Sequence, residues 1–442
     1  GHLIPARHIP ARHIPARHID SWYAATAASE PLRPALEGDR SADVCVIGGG
    51  IAGCSTALHL AERGYKVVLL ETERIGWGAS GRSGAQAIAG VACGHSKLER
   101  LIGTADARRV WDVSVEGLRL QRELIARHSI DCDYVAGQMH VALKPRQERE
   151  LREEIELLHR TLDYAHIRLV ERDELRQIVA SDRYVAGTFD SAGGHLHPLK
   201  YTQGLAAAAE RAGVQIYEAS RALAYTAVTL GGSRGFEVQT EAGRVQCREL
   251  ALCGNAWLGA LAPALARKII GVGTYIVATA PLGAERAEAL IRNNAAVSDI
   301  NWILNYFRRS ADHRLLFGGP VSYSGFDLQS ARHSARARML KVFPQLSDVS
   351  IDHAWGGYVD ITQSRAPNFG RLDGAYFLQG FSGHGIALTG IAGKLLAEAI
   401  AGSSERFDVF ARIPHRDFLG GALLRRPSLV LAMLWYRLRD LL

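Results

Sequence analysis

The chain of 442 residues contains no apolar run that approaches the roughly 20 residues of a membrane-spanning helix. Its six cysteines form no Cys-x-x-Cys pair, and several lie in strongly apolar runs, as buried free cysteines do. No secretory signal is recognisable, and no Ser/His/Asp or metal-ligating constellation stands out. These absences favour a reducing, cytoplasmic location and predict no metal site.

The first 19 residues repeat the pentapeptide His-Ile-Pro-Ala-Arg without apolar periodicity, and each proline interrupts a helix. We interpret residues 1–19 as a tag or vector-derived segment, with a native flexible basic arm as the alternative. Without Arg7, Arg12 and Arg17 the formal net charge falls from +7 to +4. This mild excess suits an anionic substrate or cofactor, and the lack of clustered positive charge argues against nucleic-acid binding.

The composition is that of a globular protein, with 48% apolar and 22% charged residues. The length exceeds the size at which one hydrophobic core stops growing, so two domains are predicted. Forty-five glycines indicate many tight turns and close approaches of the backbone to a ligand.

A nucleotide-binding pattern follows the apolar strand predicted over residues 43–48. Gly48, Gly50 and Gly53 form G-x-G-x-x-G, an apolar helix comes next, and a second strand ends at Glu71. The glycines permit a tight turn, approach of the backbone to a pyrophosphate, and close packing of helix on strand. The helix N-terminus offers free amides to phosphates, and Glu71 accepts hydrogen bonds from ribose hydroxyls. This order and spacing predict a dinucleotide with a free 2′-hydroxyl, either FAD or NAD.

A second glycine-rich turn lies far down the chain, at residues 379–386, between an apolar strand and the helical run 387–400. A helix N-terminus of this kind stabilises negative charge that develops on a reduced isoalloxazine. NAD enzymes have no evident need for a second cradle, so the pattern favours FAD. The many small residues of 76–86, just beyond Glu71, suit a chain that lies against a ligand.

These motifs together resemble the D-amino-acid oxidase superfamily of FAD-dependent oxidoreductases. The phrases that carry the resemblance are G-x-G-x-x-G with Glu71, Gly76-Trp-Gly-Ala-Ser-Gly-Arg-Ser-Gly84, Cys253-Gly-Asn-Ala-Trp257 and Gly380-Phe-Ser-Gly-His-Gly-Ile386. Within the superfamily the chain is most similar to the γ-glutamylputrescine oxidase and L-pipecolate oxidase families, through phrases such as Gly194-His-Leu-His-Pro198 and Arg314-Leu-Leu-Phe-Gly-Gly319. Relatives often carry Asn-Gly-Gly where this chain has Ser83-Gly84-Ala85, which would place the Ala85 side chain near the flavin ring.

The resemblance implies an α/β, two-domain α+β fold of the glutathione-reductase-like, D-amino-acid-oxidase-like type. A Rossmann-like FAD-binding domain is predicted over residues 40–132, 196–265 and 361–402. An antiparallel-sheet substrate domain is predicted over residues 133–195 and 266–360. From the residues themselves, turn signals predict a small β-meander over 219–247 followed by a core strand at 250–253, and the charge-rich segment 145–161 is predicted to be helical. Residues 403–442 are expected to form a C-terminal helical tail packed across the body, with a membrane-surface or partner-docking helix as the alternative.

Non-covalent FAD is expected, because no cysteine falls in a phrase that matches a covalent flavin site. The predicted cofactor-binding residues are Gly48, Gly50, Ile51, Ala52, Gly53, Glu71, Thr72, Gly78, Ala79, Ser80, Gly81, Arg82, Ser83, Gly84, Ala85, Gln86, Gly254, Trp257, Gly383, His384, Gly385, Ile386 and Ala387.

The predicted catalytic residues lie mostly on strands that the resemblance points toward the substrate. They are Tyr306, Arg308, Arg314, His353 and His384. One of the arginines 308, 309 and 314 is expected to clamp a substrate carboxylate, and Arg308 and Arg309 must point in opposite directions. His384 is expected to support the glycine turn, with flavin or substrate contact as the alternative. His195 and His197 are interpreted as part of a turn rather than as a metal pair.

Oxidation of an amine by a flavin needs orientation, desolvation and charge stabilisation more than acid–base groups. The resemblance therefore implies oxidation of the C–N bond of a small amine or amino acid, of the γ-glutamylputrescine type, with O₂ reduced to H₂O₂. An L-pipecolate or other secondary-amino-acid oxidase is one alternative. A dehydrogenase that passes electrons to a membrane or protein partner is the other.

Overall fold

The computed structural model describes residues 17–301, 304–322 and 328–418. Within them the strands, numbered in chain order, are β1 Gly38–Ile47, β2 Val67–Leu70, β3 Gln86–Ala87, β4 Val135–Ala142, β5 Ile167–Val170, β6 Ala186–His195, β7 Gln215–Tyr217, β8 Ala224–Leu230, β9 Ser233–Gln239, β10 Gly243–Leu252, β11 Ile269–Thr279, β12 Ala296–Asp299, β13 Tyr306–Arg309, β14 Leu315–Ser322, β15 Ile351–Thr362, β16 Asn368–Leu372 and β17 Ala375–Gln379.

The helices are numbered in the same way. They are α1 Trp22–Thr26, α2 Ile51–Ala61, α3 His95–Ile102, α4 Thr104–Arg127, α5 Pro145–Thr161, α6 Arg172–Ile178, α7 Pro198–Arg211, α8 Pro263–Ala266, α9 Ala284–Leu290, α10 Leu328–Val342, α11 Gly385–Ile400 and α12 Glu405–Ala411.

The first sheet is a Rossmann-like layer with the order β16-β17-β10-β1-β2-β7. The pairs from β17 through β10, β1 and β2 to β7 are parallel, and β16 is antiparallel to β17. Val44, Val46, Leu69 and Leu252 are fully buried, as in strands covered on both faces. Helices α2, α7 and α11 pack on this sheet, and α4 packs against α11, so the two glycine turns lie at the ends of neighbouring core elements.

The predicted meander within residues 219–247 is confirmed, with one refinement. Strands β8, β9 and β10 pair in antiparallel order. However, β10 runs without a break from Gly243 to Leu252, and it also pairs in parallel with β1 over its whole length. The core strand that was expected at 250–253 is therefore the inner end of the last meander strand.

The second sheet has the order β15-β11-β14-β13-β12-β4-β6-β3, with β5 also paired to β6. It is antiparallel as expected, except that β12 and β4 run parallel. Its strands fall within 135–195 and 269–362, apart from β3, which lies in the loop beyond Glu71. The exact domain boundaries given above stay predictions.

Helix α5 covers the charge-rich segment that was predicted to be helical, and its bounds agree with the prediction. Pro145 occupies its first turn, where the missing amide costs nothing. Leu151, Ile155 and Leu158 recur at helical spacing and are buried. The glutamates of this helix are consequently left on its other faces.

The prediction for 403–442 is tested only in part, because residues 419–442 lie outside the described residues. Residues 405–411 form α12, which packs against α11 and β16. Among residues 17–301, 304–322 and 328–418, no single helix is both long and apolar enough to cross a membrane; α11 and α12 pass that test only as a pair bent by 118°. Residues 1–16 of the predicted tag also lie outside the described residues.

Candidate active site

The first glycine turn is built too tightly for side chains. Gly48 has a φ of +113°, and a Cβ on it would lie 2.6 Å from the carbonyl oxygen of Cys253. A Cβ on Gly53 would lie 1.9 Å from the carbonyl oxygen of Gly48. The turn and the crossing of helix on strand thus need glycine at both positions. Ile51 and Ala52 form the buried first turn of α2, whose leading amides have no partner within the helix.

Glu71 lies at the end of β2 and reaches back to this turn. Its carboxylate accepts hydrogen bonds from the amides of Gly49 at 2.6 Å and Glu73 at 2.8 Å. Desolvation raises the pKa of Glu71 to about 7, although both amides favour the charged form. Thr72 directly follows it, half-buried, in the turn that leaves the strand. The acceptor expected for ribose hydroxyls is therefore held at the mouth of the glycine turn.

Residues 78–86 run beside the turn and contain several unsatisfied polar atoms. Ser80 Oγ accepts a hydrogen bond from Ile51 N at 3.0 Å, which ties the short 3-10 turn Ala79–Gly81 to α2. Arg82 Nη2, Ser83 Oγ and Gln86 Oε1 are buried without a hydrogen-bond partner. Buried polar atoms are normally paired, so three within five residues fit a segment built against a polar ligand such as a flavin.

Ala85 and Trp257 frame this segment. Ala85 has a φ of +60°, a left-handed conformation that suits glycine better, and its methyl group is buried in the apolar core. Trp257 follows Gly254 and is 54% exposed, with edge-on contacts to Trp77 at 5.4 Å and Tyr358 at 5.7 Å. An exposed tryptophan at the rim of the glycine turn supplies a flat apolar surface for a ligand.

The second glycine turn is held by a carboxylate that sequence reasoning missed. Asp360 accepts hydrogen bonds from the amides of Gly380 and Phe381. Gly383 has a φ of +91°, and α11 then begins at Gly385 with His384 as its N-cap residue. The His384 side chain makes no capping hydrogen bond. The leading amides of this helix, including those of Ile386 and Ala387, therefore face outward at its positive end.

The predicted substrate-side residues separate into two groups. The Tyr306 ring lies against the glycine segment, because a Cβ on Gly84 would be 2.6 Å from its Cε2. Arg308 is buried nearby and donates to the carbonyl oxygens of Gly84 at 3.1 Å and Leu196 at 2.9 Å and to the Tyr23 hydroxyl at 3.0 Å. Because the guanidinium already donates to several protein acceptors, few of its N–H groups are left to bind a substrate carboxylate.

Arg309, Arg314 and His353 are not brought to the glycine segment. Arg309 points away from Arg308, as strand alternation requires, and donates to the carbonyl oxygen of Ile291 at 3.0 Å. Arg314 pairs with Asp312 at 2.8 Å and Asp352 at 2.6 Å. The His353 ring lies 4.0 Å from Asp20. Their predicted catalytic roles stay predictions without a supporting contact.

The two histidines at 195 and 197 are structural in this fold. His195 ends β6 and accepts from Arg308 through Nδ1, since a guanidinium only donates. His197 is the N-cap of α7 and accepts from Lys200 N at 3.2 Å. Burial, with Arg308 second, lowers the pKa of His195 to about 3. The part of the chain that the structure describes contains no group of three or more His, Cys, Asp or Glu placed to hold a metal.

A cavity of about 620 Å³ adjoins the second glycine turn, and His384 forms part of its wall. Volumes of roughly 300–1,000 Å³ are typical of ligand sites. The rest of the wall is formed by the loop after β3, helix α3, one face of α5, Val110 and Trp111 of α4, and His140 of β4. Burial, followed by the nearby His140, lowers the pKa of His384 to about 3, so this ring is neutral at physiological pH. The pKa of His140 is also lowered, mainly by burial.

The geometry of two glycine turns and an adjoining cavity agrees with comparisons to known proteins. The family model described as FAD dependent oxidoreductase matches residues 43–399. The chain belongs to the FAD-dependent oxidoreductase family. It is 41% identical over 423 residues to gamma-glutamylputrescine oxidoreductase of Escherichia coli strain K12, covering 95% of this chain and 98% of that protein. The prediction of the D-amino-acid oxidase superfamily is thereby confirmed.

Solved structures confirm the fold of this family member. L-proline dehydrogenase from P. horikoshii aligns with a TM-score of 0.68 at 21% identity, over 83% of this chain and 94% of that chain. Glycine oxidase from Geobacillus kaustophilus aligns with a TM-score of 0.68 at 19% identity, over 82% and 95% respectively. Enzymatic, FAD-dependent redox chemistry follows from the family, and the glycine turns and unpaired polar atoms of this chain fit the flavin.

Proposed function

We propose that this protein oxidises the C–N bond of a small amine of the γ-glutamylputrescine type to an imine, with O₂ reduced to H₂O₂. The observation that carries the proposal is the 620 Å³ cavity that shares His384 with the second glycine turn. A substrate in this cavity lies beside the N-terminus of α11, which directly follows the second glycine turn. The high similarity to a gamma-glutamylputrescine oxidoreductase supports the same substrate class.

When bound, FAD supplies the two-electron acceptor for this chemistry. The chain supplies binding and electrostatics: Glu71 would accept hydrogen bonds from the ribose hydroxyls, and the positive N-terminal ends of α2 and α11 would lie against negative charge of the cofactor. The buried side chains of Val110, Trp111 and Leu158 line the cavity and exclude water.

The proton of a substrate ammonium must leave before the C–N bond is oxidised. Because burial lowers the pKa of His384 to about 3, this ring is too weak a base to take that proton, which therefore leaves to solvent. The neutral ring lines the cavity and is available there only as a hydrogen-bonding partner of the amine. Since this ring is neutral, the positive potential at the N-terminus of α11 comes from the backbone amides alone.

The proposal includes a non-covalent flavin and a cytoplasmic location. All six cysteines are free, and Cys93 is the one that lines the cavity. Burial raises the pKa of the Cys93 thiol to about 11, so it is protonated and a weak nucleophile. Acid precipitation of the purified protein should release intact FAD, whereas yellow colour retained in the pellet would contradict this part.

One experiment tests the proposed function directly. Flavin bleaching is followed anaerobically with γ-glutamylputrescine, putrescine, L-pipecolate and sarcosine, and peroxide is then measured in air. We expect γ-glutamylputrescine to bleach the flavin fastest and to give one H₂O₂ per amine oxidised. Fastest bleaching by L-pipecolate would replace the substrate class. Bleaching without peroxide would indicate a dehydrogenase that hands electrons to a partner.

A further inference from the structure

The walls of the cavity carry opposite charges that the amine oxidation itself does not use. On one side, Glu150, Glu153 and Glu154 of α5 line it. They are spaced at i, i+3 and i+4 and therefore share one helix face, where like charges repel. On the other side, Lys97 and Arg100 of α3 line it. An ion pair of Glu150 with Arg146 at 3.7 Å offsets part of the repulsion on α5. A cationic ligand group in the cavity would offset the rest.

Helix α3 is oriented by its ends. Gly94 and Gly103 flank it with φ values of +77° and +83°, and a Cβ on either would meet nothing within 4 Å. His95 of α3 is paired with Glu99 at 3.3 Å, which leaves Lys97 as the half-buried cation of this wall. The glycine turns at both ends thus set the direction of this short helix, and its cations Lys97 and Arg100 line the cavity.

The solvent exposure of the wall residues shows which of them lie at the mouth of the cavity and which lie at its inner end. The glutamates of α5 and Arg100 are exposed, whereas His140 and His384 are half-buried. Between them Val91, Val110 and Trp111 are buried and apolar. A ligand that spans the cavity therefore meets charges of both signs at the mouth, an apolar middle, and the neutral histidines beside the glycine turn.

We propose that the cavity selects amines whose far end is a zwitterionic amino-acid head, with Lys97 binding its carboxylate and the glutamates of α5 binding its ammonium. This inference rests on the proposed function and names the residues that set its specificity. Three carboxylates against two cations leave the mouth with a net negative charge. Charges of both signs at the mouth, with carboxylates in excess, suit a head that carries an ammonium beside its carboxylate, and the apolar middle suits a methylene chain.

The test uses the holoenzyme and amides that keep or lose one head charge. γ-Glutamylbutylamine keeps both head charges, glutarylbutylamine lacks the ammonium, and 4-aminobutanoylbutylamine lacks the carboxylate. All three lack the amine of the putrescine end, and an unchanged flavin absorbance spectrum during the titration confirms that calorimetry measures binding without turnover. We expect K97M to weaken the first two by about 10-fold or more and to leave the third unchanged, as loss of a charge-assisted contact requires.

The triple variant E150Q/E153Q/E154Q should show the reverse pattern. It should weaken γ-glutamylbutylamine and 4-aminobutanoylbutylamine and leave glutarylbutylamine unchanged. Matched controls are K341M on α10 and E156Q on the outer part of α5, where Glu156 pairs with Arg160 at 2.6 Å. Both controls should bind every amide as the wild type does.

The outcomes separate this inference from the proposed function. If the wild type oxidises γ-glutamylputrescine but neither variant discriminates between the amides, the charged walls do not select the head and the inference is overturned alone. Failure of γ-glutamylbutylamine to bind the wild type at millimolar concentration would also overturn it. If no amine in the substrate panel bleaches the flavin, the proposed function fails, whatever the amides do.

Discussion

Arg308 Nε donates a hydrogen bond to the carbonyl oxygen of Gly84 at 3.1 Å, which joins the second sheet to the glycine-rich segment of the first domain. The same side chain reaches the hydroxyl of Tyr23 in α1. A buried arginine with this many protein acceptors works as a brace between three parts of the chain. It was predicted as one of three candidates to clamp a substrate carboxylate, and its contacts favour the structural role.

Replacing Arg308 with Met should therefore destabilise the protein and release FAD rather than change substrate recognition alone. The variant leaves the carbonyl oxygens of Gly84 and Leu196 buried without their donor, which costs about 1–3 kcal/mol for each. Urea denaturation and flavin content after gel filtration measure the effect. R160M is the control, because Arg160 makes an exposed ion pair with Glu156 that contributes at most about 1 kcal/mol. If R308M is as stable as the wild type but has a raised KM, Arg308 binds the substrate carboxylate after all.

Replacing Gly84 with Ala should weaken both folding and flavin binding. The new Cβ would lie 2.6 Å from the Tyr306 ring, and overpacking of this kind costs about 1–3 kcal/mol. The double variant G84A/Y306A should recover part of the lost FAD affinity, since the clash is removed. G390A is the control, because a Cβ there would meet only the Tyr201 hydroxyl at 3.9 Å within a helix. Equal flavin content in G84A and G390A would show that the contact carries no strain.

The sequence was sufficient to predict the local elements around the two glycine turns, whereas the cofactor contacts of the individual residues stay predictions. Strand, glycine triplet, helix and terminal acid follow one another along 40 residues, so local spacing fixes their geometry. The glycine turn before α11 was predicted for the same reason. The surroundings of the predicted substrate-side residues depend on long-range strand pairing. No local sequence pattern shows that Arg308 contacts Gly84, which is 224 residues away.

Two further features escaped prediction for physical reasons. Asp360 stands in the apolar run Val359-Asp360-Ile361, and a charge in such a run signals a buried carboxylate, but its partners at 380 and 381 depend on the sheet order. The charge-rich helix α5 was predicted with the correct bounds. However, one face of α5 lines a cavity opposite α3. This arrangement depends on tertiary packing and cannot be predicted from helical periodicity.

Replacing Glu71 with Ala should lower FAD affinity by at least about 10-fold, since it removes the acceptor of two ribose hydrogen bonds worth about 1.5–3 kcal/mol each. Flavin fluorescence during titration of the apoprotein measures the dissociation constant. E62A is the matched control, because Glu62 caps the far end of α2 and lies 3.6 Å from Arg127 on the surface. Unchanged FAD retention by E71A through dialysis would place the ribose elsewhere.

Asp360 should make the protein less stable as the pH rises through the weakly acidic range. Desolvation is the main cause that raises the pKa of Asp360 to about 6, above its ordinary 3.8, although Asn255 and the amides of Gly380 and Phe381 favour the charged form. The folded state therefore binds this proton more tightly than the unfolded state. Its contribution is most favourable below pH 3.8 and declines until the pH passes about 6.

The variant D360N isolates that contribution. A neutral amide keeps an oxygen to accept from the two amides but does not titrate, so the difference in unfolding free energy between wild type and D360N should depend on pH. Relative to D360N, the wild type should lose about 2 kcal/mol between pH 4 and pH 6.5, measured by urea denaturation of the holoenzyme. Above pH 6.5 the difference should be constant. A difference that is flat across the whole range would mean that Asp360 is solvated and does not hold the glycine turn as a buried carboxylate.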